Sequence, residues 1–63
     1  MGYKVKERRE ELRMSQKELA QKSGVSRQMI SMIETGKAEN VTLGTMKALA
    51  SALESTIEQI FLE

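Results

Sequence analysis

Arg27, Gln28, Ser31 and Met32 lie within a six-residue stretch of this 63-residue chain. On a helix turning by about 100° per residue they gather on one side. Their chemistry is that of a hydrogen-bonding surface with one apolar group in it. A guanidinium can bond bidentately to guanine, a carboxamide to adenine, a hydroxyl to several base-edge groups, and a thioether can meet a thymine methyl. A polar outer face alone marks only a solvated helix. What gives these four residues a different meaning is the frame around them.

That frame is a set of small and apolar residues at the contact points of two crossing helices. Leu19 and Ala20 precede Gly24, and Val25, Ile30 and Ile33 follow it. Alanine at the crossing allows close approach, glycine allows a tight turn, and the second helix is left standing outward as a polar rod of major-groove size. The spacing predicts a helix-turn-helix over residues 16–35.

Helical periodicity runs through the rest of the chain, with no proline and no strand-like alternation. Five helices are predicted, at about 4–13, 16–23, 27–35, 43–53 and 57–62, in an all-α, compact five-helix domain spanning 1–63. Val5, Arg9 and Leu12 share a stripe on the first, with Met14 in the following turn. Ser15 with Glu18 and Thr56 with Gln59 have capping-box spacing, Ser26 and Thr42 are further caps, and Gly24 and Gly36 are stops. Leu43, Met46, Leu49, Ala50 and Leu53 are expected to form the inner face of the fourth helix.

Composition narrows the function classes. The chain has no Cys and no His, which removes disulfides and makes a metal site a poor expectation. No cofactor motif is present. An enzyme is disfavoured, since there is no glycine-rich phosphate loop and the glutamates lie at spacings that build no convergent catalytic site. No apolar run approaches the roughly 20 residues of a membrane span, so no membrane partner is expected and the expected location is cytoplasmic. Net charge is only +1, but residues 1–37 carry +4 and residues 38–63 carry −3. The basic half contains the helix-turn-helix, which points that end toward an anion.

The chain resembles the Xre/Cro family of helix-turn-helix regulators, close in size to the DNA-binding domains of lambdoid phage repressors. The resemblance runs from Val5 to Phe61. It is carried by Arg9, Ser-Gln-Lys-Glu-Leu-Ala at 15–20, Ser-Gly-Val-Ser-Arg-Gln at 23–28, Ile30, Ile-Glu-Thr-Gly-Lys at 33–37 and Leu-Ala-Ser-Ala-Leu at 49–53. It implies that Arg27, Gln28, Ser31 and Met32 face DNA bases, and that Arg9, Gln16, Ser26, Thr35 and Lys37 meet backbone phosphates. It also implies a partly buried ion pair between Arg9 and Glu34. Three positions depart from the family pattern. Asn40-Val41 replaces the usual Asn-Pro, Gly44 lies in the first turn of the fourth helix, and Glu54 stands where a glycine usually ends that helix. A left-handed glutamate is strained, so a different turn between the fourth and fifth helices is expected.

The last helix is rich in apolar residues for so small a body. Leu62 and part of Phe61, with Val41 and Met46, are the candidate contacts of a homodimer. The expected partner is a double-stranded DNA operator of pseudo-palindromic sequence, and the expected role is a transcriptional regulator, a repressor acting by occupancy. The competing expectation is an antitoxin-like or adaptor module that holds a protein partner at its apolar C-terminal end.

Overall fold

Helix caps set the architecture. In the computed structural model, which describes residues 3–62, five helices follow one another: α1 (Val5–Glu11), α2 (Gln16–Ser23), α3 (Arg27–Glu34), α4 (Leu43–Ala52) and α5 (Ile57–Phe61). The hydroxyls of Ser15, Ser26, Thr42 and Thr56 each accept the backbone N–H three residues on. Glu18 and Gln59 reach back to the N–H of Ser15 and Thr56, which completes two capping boxes. Each box satisfies donors that a helix start would otherwise leave orphaned.

The C-terminal ends follow a second rule. After α1, α3 and α4 the chain makes the same paired bonds back onto the helix. Met14 N–H donates to Arg9 O and Arg13 N–H to Glu10 O. Lys37 N–H donates to Met32 O and Gly36 N–H to Ile33 O. Ser55 N–H donates to Ala50 O and Glu54 N–H to Ser51 O. This is the Schellman closure, and it requires a left-handed residue at its centre. Gly36 supplies one at φ 77°, but Arg13 at 57° and Glu54 at 54° supply the others without being glycine. The expectation that Glu54 would avoid this conformation is therefore corrected. The closure satisfies two carbonyls at the end of α4, and Arg8 reinforces it from α1. Its Nε donates to both Leu53 O and Ser55 Oγ, each at 3.0 Å. Arg13 likewise ends α1 at Glu11, short of the expected residue 13.

One apolar cluster joins all five helices, with Val5, Leu19, Ile30, Leu49 and Leu53 fully buried and Ile33 and Ile60 nearly so. The helix α2 packs on α3 and α4, α4 on α5, and α1 closes against α3 and α5. Two expectations about burial change. Leu43, expected inside, is 61% exposed, because as the first residue of α4 it precedes the turn that carries the inner stripe. Phe61, expected to leave part of its ring open, is only 7% exposed. Its ring meets that of Tyr3 edge-on, with centroids 4.8 Å apart and planes at 63°. The Lys4 N–H donates to Ile60 O at 2.9 Å beside it, so the start of α1 and the end of α5 are tied together.

Candidate nucleic-acid interface

The two helices of the motif are held at a fixed angle by a short turn. Gly24 takes φ 76° and its N–H closes on Ala20 O, ending α2. Its position has open space around it, so the conformation and not crowding calls for glycine. The Ser23 hydroxyl accepts the Val25 N–H, and Ser26 then caps α3. Ala20, Val25 and Met29 lie half-buried against the core at the crossing, and Ile30 and Ile33 are buried beneath α3.

The outer side of α3 is laid out along its length. Arg27 and Gln28, in the first turn, are exposed, as is the capping Ser26. Ser31 and Met32, one turn on, are half-buried. Thr35 and Lys37 are exposed at the far end, where the Thr35 hydroxyl donates to Ser31 O at 2.9 Å. The four residues singled out for base edges thus lie on one helix, exposed in its first turn and half-buried in the next. Val41 and Met46 lie elsewhere, packed half-buried against the core, while Leu62 is 70% exposed.

The C-terminal end of α3 is anchored by a network with Glu34 at its centre. Arg9 meets it through Nε to Oε2 at 2.8 Å and through Nη2 to Oε1 at 3.2 Å. The two side chains are only 12% and 3% exposed, so the expected pair forms and is well buried. Arg9 Nη1 donates to Met14 O at 2.7 Å, which ties the α1–α2 turn into the same network. The hydrogen bond to Glu34 raises the Arg9 pKa above its ordinary value, with attraction to Glu34 and Glu10 adding to it and burial opposing it. With three of its bonds inside the protein, Arg9 is chiefly a brace and has little surface to offer a phosphate.

Gln16 adds a bond that sequence reasoning missed. Its Nε2 donates to Glu34 Oε1 at 3.0 Å. The first residue of α2 and the last of α3 are thereby joined side chain to side chain. No local pattern signals this, because 18 residues separate the partners. One amide hydrogen and the carbonyl oxygen of Gln16 have no other partner among the described residues, and the side chain is half-exposed. Glu34 therefore holds the Gln16 amide in place without exhausting its donors.

The combined surface is a groove-sized rod with exposed donors at its start, exposed Thr35 and Lys37 at its end, and a braced Gln16 alongside. No helix among the described residues is long and apolar enough to cross a membrane. Residues 5–60 match the family model described as helix-turn-helix. No curated protein and no solved structure matches the chain.

Proposed function

The chain belongs to the Xre/Cro-type helix-turn-helix family of DNA-binding regulators, and from that premise we propose that it is a sequence-specific repressor binding a pseudo-palindromic operator as a homodimer. The observation that carries this reading is the exposure of Arg27 and Gln28 on the first turn of α3, above a core that fixes the helix from beneath. Residues in that turn are the ones a recognition helix brings to the floor of the major groove. In this reading Arg27, Gln28, Ser31 and Met32 read base edges. Gln16, Ser26, Thr35 and Lys37 bind phosphates and set register, and Arg9 keeps the end of α3 in place.

The homodimer rests on apolar surface left open. Leu62 and Leu43 are the most exposed large apolar side chains among the described residues, and a contact centred on Leu62 would bury surface that the monomer leaves in water. A two-fold pair would present two copies of α3 about one DNA turn apart. Blocking transcription by occupancy requires nothing beyond this binding. The same open leucines support a second reading, a module that holds a protein partner in the manner of an antitoxin or adaptor.

Selection of bound duplexes from a random DNA pool tests the proposal. The expected result is an enriched, two-fold symmetric site. If about eight phosphates are neutralised per dimer, log affinity falls against log salt with a slope of about −7. Equal affinity for selected and random duplexes, or affinity indifferent to salt, would overturn it. Leu62→Ser should shift sedimentation toward monomer and weaken binding to the full site. Retention of both dimer and affinity would remove Leu62 from the interface.

A further inference from the structure

We infer that Arg13, in the turn between α1 and α2, is a phosphate-binding residue of the DNA interface, an inference that rests on the DNA-binding reading above. Arg13 occupies the left-handed centre of the closure that ends α1, at φ 57°. A residue with a side chain is strained there, and glycine would relieve the strain. A side chain kept at a left-handed centre that glycine could fill marks a position where the side chain itself is wanted.

No described residue bonds that side chain. Arg13 is exposed, and its guanidinium makes no hydrogen bond or ion pair with any described residue. Glu54 is the other strained non-glycine centre. Arg8 grips the Leu53 carbonyl before Glu54 and the Ser55 hydroxyl after it, so a device inside the fold supports that turn. The Arg13 turn is supported in the same way, by Arg9 on Met14 O. Neither strained side chain has a bond of its own among the described residues. What sets Arg13 apart is a positive charge three residues before the braced Gln16.

The surroundings specify the chemistry of that partner. The turn that bears Arg13 is pinned to the end of α3 on both sides. Arg9 links Met14 O to Glu34, and Gln16 bonds Glu34 directly. Arg13 thus sits one residue before a carbonyl fixed to the recognition helix, and three before the braced amide of Gln16. The exposed Lys37 stands three residues beyond Glu34, in the turn after α3. A cation so placed extends the phosphate-binding edge past Gln16. A phosphodiester oxygen is the ligand that a guanidinium on this edge would take.

The test uses the intact protein and the selected duplex, with Arg13→Gly, Arg13→Gln and Arg13→Lys compared by affinity across a salt series and by thermal melting. Arg13→Gly should melt higher, since it relieves the strain, yet bind DNA less tightly. Loss of one phosphate contact per protomer lowers the salt slope by about 0.9 per protomer. The affinity advantage of the native protein over the variant should then shrink by about threefold per protomer between about 50 and about 200 mM salt. Arg13→Gln should lose the same slope while keeping the strain, Arg13→Lys should retain it, and the preferred site should be unchanged in all three. A native protein with no salt-dependent DNA affinity overturns the proposed function and this role with it. A native protein that binds, with Arg13→Gly and Arg13→Gln equal to it in affinity and slope, overturns the role of Arg13 alone.

Discussion

The Gln16 amide donates to Glu34 at 3.0 Å, so the carboxylate that receives Arg9 from α1 also holds the first residue of α2. Three helices therefore converge on one nearly buried side chain at the end of the recognition helix. Glu34 is 3% exposed and would be costly there as an isolated charge; two-point pairing with Arg9 offsets that cost. The network has a functional consequence, because it fixes where α3 ends relative to the residues proposed to hold phosphate.

Breaking this network should be expensive. Arg9→Ala or Glu34→Ala should each destabilise the protein by about 3 kcal/mol, since each leaves the other charge buried and unpaired. The double variant should lose much less than the sum of the two, and additive losses in chemical denaturation would show the pair to be uncoupled. The raised pKa of Arg9 also fixes the pH dependence of its share. A group whose pKa is raised on folding lends stability that is complete below its unfolded value and is lost only as pH rises through the folded one. For a guanidinium that window is strongly alkaline, so the Arg9 contribution should stay constant through the neutral range.

Arg8 and Glu54 should be coupled in the same way, though more weakly. Arg8→Ala removes charged hydrogen bonds to Leu53 O and Ser55 Oγ and should cost about 1.5–3 kcal/mol. Glu54→Gly relieves a left-handed side chain and should raise stability by about 1 kcal/mol. If Arg8 holds the strained turn, its removal should cost less in the Glu54→Gly background. An identical cost in both backgrounds would separate the two residues.

Gly44 offers a simple stabilisation. It is exposed in the first turn of α4, its φ is not left-handed, and a methyl group there would meet only Thr42 Oγ1 at 4.0 Å. Gly44→Ala should therefore gain about 1 kcal/mol. For a domain of this size that corresponds to a rise of about 4–8 °C in Tm. An unchanged or lower Tm would mean that the glycine serves a contact outside the protomer.

Base readout and phosphate binding should separate by mutation. Gln28→Ala should lose about 1–3 kcal/mol of discrimination at one base pair of the selected site while leaving binding to random DNA almost untouched. Lys37→Ala should weaken both by a similar factor and reduce the salt slope by about 1. Competition binding against single-base variants of the site checks both, and the reverse pattern would exchange the roles of the two residues.

What was legible in the sequence follows the range of the interactions. Caps and stops are local, so Ser15 with Glu18, Thr56 with Gln59, Gly24 and Gly36 were readable from spacing alone. The crossing of α2 and α3 was readable because small residues can occupy only a few places in it. The Arg9–Glu34 pair came from a family resemblance and not from spacing, since the partners are 25 residues apart. Gln16–Glu34 and Arg8–Leu53 had no signal at all. The left-handed Glu54 runs against the local rule because the penalty for a side chain is local, whereas the bonds from Arg8 that support the turn come from another helix. Leu43 was placed inside by periodicity, which describes a helix face but not which end of that face meets the core.

The contact of Tyr3 with Phe61 has an experimental consequence of its own. The chain has one tyrosine and no tryptophan. All of its tyrosine emission therefore originates at a single ring, 38% exposed and seated against α5 beside the bond that joins Lys4 to Ile60. Unlabelled protein followed by fluorescence reports on the docking of its first described residue against its last helix. A spectral change on adding DNA would mean that occupancy of α3 is felt at that seam.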